Sequence, residues 1–311
     1  MTPPLISIIT PCLNRAAYVA EAIESVIQQG YPNLEHIVVD GGSTDGSLEI
    51  LRAYPRLHML SEPDRGLYDA INKGLRMAQG DVIGFLNTDD LYLPGTFQKV
   101  VDTLEKYPGS DAVLGSVSVF IDHPAVGRKT VAVNHPFSQE NFLQAVTHGV
   151  PLFNGWFFRR VAFDGIGEFD AGYRYAADRE ILIRMALAGR IFVPVDQIFY
   201  CYRHHPGSLT FNSDVDAFSG IVQEFKMIAE RYLDRSDLET WSHGVFKTWH
   251  SLITSHQVLL AIRSFKPALV LDLAGEGVRR NRMWPAIFGR EFVVNGVRFA
   301  TRGFKPIQQY G

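Results

Sequence analysis

Cysteine is almost absent: the 311 residues hold two, Cys12 and Cys201. Both sit among apolar neighbours at no metal-ligand spacing, which excludes a disulfide scaffold or a zinc module and suits a reducing compartment. No apolar run approaches the ~18 residues that cross a bilayer. The opening Met1-Thr2-Pro3-Pro4-Leu5 carries neither a basic stretch nor an apolar core of the secretory kind. A cytoplasmic protein is expected, with peripheral contact at the inner face of the cell membrane left open. Excess charge of one sign is missing too: 30 Lys/Arg stand against 33 Asp/Glu, a net −3. Nothing global therefore points to nucleic acid. Internal repeats and low-complexity segments are absent.

What charge there is lies unevenly. Residues 263–311 hold nine Lys/Arg and three Asp/Glu, or +6, which leaves 21 and 30, or −9, for the rest. Hydrophobic residues at 46% and charged ones at 20% are those of a folded protein with a sizeable core.

Along the first 90 residues short apolar runs alternate with helical spacing. Runs at 5–10, 36–39, 58–60 and 82–86 read as buried strands, and 16–29, 47–54 and 69–78 as helices. This is the pattern of an α/β protein with a mostly parallel central sheet flanked by helices. Further strands are expected at 111–121, 131–133 and 191–195, a helix at 178–188 and a polar loop at 200–211. After residue 214 long helical patterns take over, at 218–232 and 239–262. Two domains are expected: 1–215, and a helical extension over 216–311 that is basic and aromatic.

In parallel sheets ligands sit beyond the carboxyl ends of the strands, and that is where the acidic residues fall. Asp40 opens the loop Asp40-Gly41-Gly42-Ser43-Thr44-Asp45-Gly46, whose glycines admit a ligand to the backbone, or which is an ordinary turn with Asp45 capping the next helix. Asn87-Thr88-Asp89-Asp90 crowds oxygens at a strand end, as a hard divalent cation requires, unless Asp90 merely starts a turn. Asp178-Arg179-Glu180 opens a helix, where acids are favoured by the helix dipole alone and where a general base could also stand. His204-His205 lie in a polar loop and suit metal, phosphate or solvent. Arg65 and Lys73 are cations that could meet phosphate.

Together these clusters resemble glycosyltransferase family 2, of GT-A fold, over about residues 5–210. Ile8-Ile9-Thr10-Pro11 with Asn14-Arg15 is similar to the opening strand and loop, and Val38 to Ser47 to the nucleotide loop. Glu62 to Gly66, Asn72-Lys73-Gly74 and Ala78-Gln79-Gly80 are similar to the second nucleotide segment. Asn87-Thr88-Asp89-Asp90 stands at the DxD position, with an amide in place of the first acid. Gly167 to Asp170, Ala177 to Glu180, Arg184 and Gly189 match the acceptor side, and Tyr202-Arg203 with His205 to Ser208 the closing loop. The resemblance implies an inverting transferase that moves a sugar from a nucleoside-diphosphate sugar, a UDP-sugar above all, to a hydroxyl of a glycan or lipid-linked glycan, as in surface-polysaccharide synthesis. It implies Mn²⁺ or Mg²⁺ held by Asp89 and His205, and a nucleotide site of Pro11, Asn14, Asp40, Gly42, Asp64, Arg65, Lys73, Asn87 and Thr88. Asp178 is implied as catalytic base, with Glu180 the fallback.

Two rivals stand beside it. A sugar-phosphate nucleotidyltransferase needs a Gly-rich basic loop after its first strand, where this chain has Pro11-Cys12-Leu13-Asn14. A carbohydrate-binding module needs no acids at several strand ends. For the tail, Trp284, Phe288, Phe292, Phe299 and Phe304 among Arg279, Arg280, Arg282 and Arg290 suit an anionic membrane interface, or packing on the protein or in a homo-oligomer.

Overall fold

The computed structural model describes residues 2–205, 208 and 215–292. Close contacts group the chain into two units, Met1–Phe142 with Pro151–Asn212, and Leu143–Val150 with Ser213–Gly311.

The first unit is built on β1 (Ile6–Cys12), all seven of whose residues are buried. A strand without an exposed face must be covered on both sides, so β1 lies inside the sheet. The chain continues through α1 (Val19–Ile27), β2 (Leu34–Asp40), α2 (Ser47–Arg52), β3 (Leu57–Ser61), α3 (Leu67–Met77) and β4 (Val82–Phe85). It then forms β5 (Leu91–Tyr92), α4 (Thr96–Lys106), β6 (Ala112–His123), β7 (Gly127–Asn134), α5 (Phe142–His148), β8 (Trp156–Arg159), α6 (Ala177–Leu187) and β9 (Phe192–Arg203). Sheet order is β3-β2-β1-β4-β8-β6-β9-β5, with β7 on β6. The β1–β4 half is parallel, as the strand-helix alternation requires. Beyond β4 only β6 and β9 run parallel, and the pairs β4–β8, β6–β8, β6–β7 and β5–β9 are antiparallel. The sheet is thus mixed where a mostly parallel one is expected. After residue 90 the hairpin β6–β7 and the antiparallel strands β5 and β8 enter the sheet, while α4, α5 and α6 still lie between strands in sequence.

Two further differences have physical causes. The loop expected at 200–211 is strand as far as Arg203, because Phe199 and Tyr200 are fully buried in the sheet despite the polar residues around them. α4 was not expected, although Phe97, Val100, Val101 and Leu104 recur at helical spacing and are buried. Pro206, Gly207 and Phe211 of the closing loop, and Phe299 and Phe304 of the tail, lie outside the described residues.

The second unit is helical: it holds α5 beyond Phe142, then α7 (Val215–Leu233), α8 (Thr240–Arg263) and α9 (Pro267–Arg280). Tyr232 stacks on Phe246 at 4.7 Å, and Val258, Ala261, Leu273 and Trp284 form a small core. Buried His250 faces Glu230 and Glu276, and the Lys226 ammonium lies 2.7 Å from Glu276. That cation already offsets the acids, so the cluster is a structural ion network between helices. No helix among the described residues is long and apolar enough to cross a membrane.

A close contact fixes β6 against β9. A Cβ on Gly115 would lie 2.1 Å from the ring of Phe199. Gly115→Ala is expected to cost about 1–3 kcal/mol through overpacking. Thermal unfolding checks this, and an unchanged melting temperature would show that the ring can give way.

Candidate active site

The loops that follow β1, β2, β3 and β4 meet at the carboxyl edge of the sheet. Asn14 takes a left-handed φ of 53°, which its short amide tolerates. It accepts a bond from Thr44 N at 2.9 Å, while its own N–H donates to Ser43 Oγ at 2.8 Å. Asp45 caps the same join, accepting from Ala16 N at 2.9 Å and Ser47 N at 3.0 Å. The first two loops are therefore one hydrogen-bonded body. Pro11 is buried in β1 opposite Val39.

Asp40 ends β2 with no exposed surface. Its carboxylate accepts from Gly42 N and Ser43 N, each at 3.2 Å, and from Ser61 Oγ at 2.8 Å, so it ties the Gly-rich loop to the end of β3. Gly42 has φ +90°, which disfavours any side chain, and a Cβ on Gly41 would lie 2.2 Å from Asp64 Oδ2. The Gly-rich loop and Asp64 thus touch through a missing side chain. Asp64 accepts from Gly66 N at 2.8 Å and remains partly exposed. Lys73 donates to Pro63 O at 2.9 Å and pairs with Glu62 at 2.8 Å, holding this loop from below. Arg65 is 82% exposed and folds back on Asp69 at 3.1 Å.

After β4 the two aspartates divide. Asp90 is 1% exposed and accepts from Tyr200 Oη at 2.6 Å, Arg203 N at 2.8 Å and Asn87 Nδ2 at 3.1 Å. Burial, and then the Asp89 carboxylate beside it, push its pKa well above the usual carboxylate range. Asn87 is thereby committed to Asp90, and Thr88 is buried. Asp89 stays partly open, with Oδ2 3.0 Å from His205 Nε2 and 3.8 Å from Arg15 Nε. Ser208 closes the turn around His205, donating to Arg203 O at 3.2 Å. Arg203, 4% exposed, donates to Asp89 O at 2.8 Å, pairs with Glu21 and Asp122, and lies over the rings of Tyr18 and Phe120.

On α6, Asp178 is partly buried and its pKa is raised, first by burial; a hydrogen bond from Tyr68 and the charge of Arg179 oppose the rise. Tyr68 opens α3 and has one hydroxyl hydrogen, which Asp178 shares with Tyr175 O at 3.0 Å, so α3 links Asp178 to the Asp64 loop. Glu180 is 2% exposed and bound by Arg184 at 2.8 Å; Arg184 also donates to Glu168 O at 2.8 Å and to Ile166 O.

Every expected site residue thus has a place. Asn14, Gly42, Asp64, Asp89 and His205 face one edge, Asp178 joins it through Tyr68, and Asp40, Thr88 and Glu180 are turned inward. Glu21, Asp122, Tyr18 and Tyr200 were missed. Their roles come from contacts across 81 to 185 residues, for which no local spacing gives a signal. Arg203 was visible as a motif residue, but not as a buried one.

Residues 7–167 match the family described as Glycosyl transferase family 2, and the chain belongs to that family. It is a glycosyltransferase. A PGL/p-HBAD biosynthesis glycosyltransferase of Mycobacterium bovis (strain BCG / Pasteur 1173P2) is 33% identical over 190 residues, 59% of this chain and 70% of that protein. Among solved structures, S. aureus TarS 1-349 in complex with UDP-GlcNAc superposes with a TM-score of 0.63 at 19% identity, covering 89% of this chain and 81% of that one. The mannosyltransferase PcManGT from Pyrobaculum calidifontis, in complex with GDP-Man and Mn2+, gives 0.54 at 17% identity, covering 89% and 88%. At these identities the likeness is one of fold, and the fold is GT-A.

The Glu180–Arg184 pair has a testable cost. Glu180→Ala leaves a largely buried guanidinium without its acid, and a loss of about 3 kcal/mol is expected. Chemical denaturation measures it, and wild-type stability would mean that the pair holds nothing.

Proposed function

We propose that this glycosyltransferase moves a sugar from a nucleoside-diphosphate sugar, a UDP-sugar, to a hydroxyl of a glycan or lipid-linked glycan, inverting the anomeric centre. The site lies on the cytoplasmic side, with the chain held at the inner face of the membrane through residues 263–311. One observation carries the reading: the Asn14, Gly42, Asp64 and Asp89–His205 groups share one sheet edge, and a separate carboxyl of raised pKa, Asp178, is tied to it through Tyr68.

The Gly41–Gly42 backbone and Asp64 would hold the nucleoside, with Asp40 fixing the loop that presents them. Asp89 and His205 fit a divalent cation, Mn²⁺ or Mg²⁺. Two ligands of one ion, each at about 2.1 Å and at a right angle, stand about 3 Å apart, and Asp89 Oδ2 and His205 Nε2 are 3.0 Å apart. When bound, such an ion neutralises the charge that builds on the departing diphosphate. Arg15, 3.8 Å from Asp89, adds a positive group on the same side. The sugar nucleotides in the TarS and PcManGT complexes support the donor class.

Asp178 is the base. It takes the proton of the acceptor hydroxyl as the oxygen attacks the anomeric carbon and the diphosphate leaves. Inversion needs this one carboxylate and no covalent nucleophile, and Glu180 is held by Arg184 away from such a role.

Asp178→Asn is expected to lower kcat about 10²–10⁴-fold while the donor still raises the melting temperature. The base works ionised, so a raised pKa moves the acid limb of kcat/KM to higher pH. Tyr68→Phe removes a bond that favours the ionised form, and moves that limb higher still. Wild-type turnover by the Asn variant would remove Asp178 from the chemistry. For the cation, release of UDP from a panel of UDP-sugars is expected to vanish in EDTA, to return with Mn²⁺ or Mg²⁺, and to be lost in Asp89→Ala. Full activity in excess chelator would falsify the metal assignment.

A further inference from the structure

The second unit carries apolar surface that its own core does not use. In α9 the inward side is satisfied: Leu273 packs with Val258, Ala261 and Trp284, and Gly277 lies so close to Trp284 that a Cβ would meet the indole at 2.5 Å. Trp284 is 5% exposed and stacks on Phe288 at 5.1 Å, so these two tail aromatics take the packing role. The outward side is apolar as well. Ala268, Leu271, Gly275 and Val278 follow one another at steps of three, four and three, which is one face of a helix. Leu271 is 75% and Val278 45% exposed, and at the two ends of α9 stand Phe265 at 91% and Met283 at 65%. A solvent-facing helix side should be polar, and here it is not.

Charge says what would cover it. Lys266 precedes the stripe, Arg279 and Arg282 follow it, and Arg290 lies further on, all exposed. Arg280 is spent on Asp234 at 2.8 Å. Against these stand exposed Asp272 and, partly buried, Glu276 and Glu291, of which Glu276 is bound to Lys226 and His250. Residues 263–292 carry six Lys/Arg and three Asp/Glu, and 293–311 add Arg298, Arg302 and Lys305 with no acid. A second copy of the chain is a poor occupant, because a two-fold contact along this stripe sets like charges against like. An anionic surface with an apolar interior matches both features.

We infer that the outer face of α9, with Phe265, Met283 and the basic residues beside them, docks on an anionic lipid surface. This deepens the lipid-linked acceptor reading by naming the surface that would bring the enzyme to its acceptor. Each basic residue near such a surface is worth about a five-fold gain in partitioning, and the attraction is screened by salt.

The test is co-sedimentation of the full chain with vesicles of phosphatidylcholine alone or with 30% (about one lipid in three) phosphatidylglycerol, a composition set by the need for a substantial surface potential. Binding is expected to the anionic vesicles only, and to fall at least ten-fold at high salt. Leu271→Ser with Val278→Ser, and separately Arg279→Glu with Arg282→Glu, are each expected to lower it ten-fold or more with unchanged melting temperature. All four residues are exposed, and hydrolysis of the donor should continue in both variants. Loss of that hydrolysis in wild type as well would count against the transferase reading, not against the surface. Absence of binding to anionic vesicles at low salt overturns the inference. So does equal binding by the variants, or a stable dimer in sedimentation equilibrium that the serine pair dissociates.

Discussion

A guanidinium keeps its charge at any ordinary pH and cannot be buried without partners. Arg203 is buried at the end of β9, and its partners come from every element around the acidic edge. Glu21 reaches it from α1, Asp122 from β6 and the Asp89 carbonyl from the loop after β4, while its own N–H serves Asp90. Tyr18 and Phe120 cover its faces. Removing any of these would leave a desolvated charge, so the loop after β4 has little freedom to move. The direction in which Asp89 points follows from that fixed loop.

The acids of the first unit fall into two groups. Asp40, Asp90 and Glu180 are buried, and their oxygens are engaged by backbone N–H groups, hydroxyls or Arg184. Such carboxylates make the site rigid, since each would cost several kcal/mol if its partners were lost. Asp64, Asp89 and Asp178 are only partly buried and can meet a ligand. Neighbours in sequence thus divide the work. Asp90 fixes the turn that presents Asp89, and Glu180 anchors the helix that presents Asp178.

The parallel half of the fold was legible because it obeys local rules. Apolar runs of three to six residues alternate with helical spacing, and acids such as Asp40 and Asp89 fall just past two of them. The other half was legible in part: the strands at 111–121, 131–133 and 191–195 and the helix at 178–188 are there as β6, β7, the start of β9 and α6, but their pairing and the full length of β9 were not. β9 carries Asp196, Gln197, Tyr200 and Arg203, and a strand rich in polar letters looks like a loop until its partners are known. α4 had a readable face, Phe97, Val100, Val101 and Leu104, that went unread. In the site, spacing exposed Asp40, Asp89 and Asp178, but could not separate inward acids from outward ones. Asp40 and Asp64 are alike in sequence context. Only the contact between Gly41 and Asp64, and the two N–H groups closing on Asp40, tell them apart.

The environments of Asp89 and Asp178 differ in the way that displacement chemistry requires. Around Asp89 stand the guanidinium groups of Arg15 and Arg203, which suit the end where, on the proposed function, a diphosphate gathers charge. Asp178 is shaped instead by burial, which raises its proton affinity, and a base removes a proton from a hydroxyl better as that affinity rises. The rise cannot be unlimited, because a base that is protonated at working pH does nothing. Tyr68 and Arg179 set the limit: one donates a hydrogen bond and the other lends positive charge, and both favour the ionised form. Tyr68 belongs to α3, the helix that follows the Asp64 loop, so the element that tunes Asp178 is continuous with that loop. If Asp178 is the base proposed above, one helix start, that of α3, serves both the Asp64 loop and the acceptor's base.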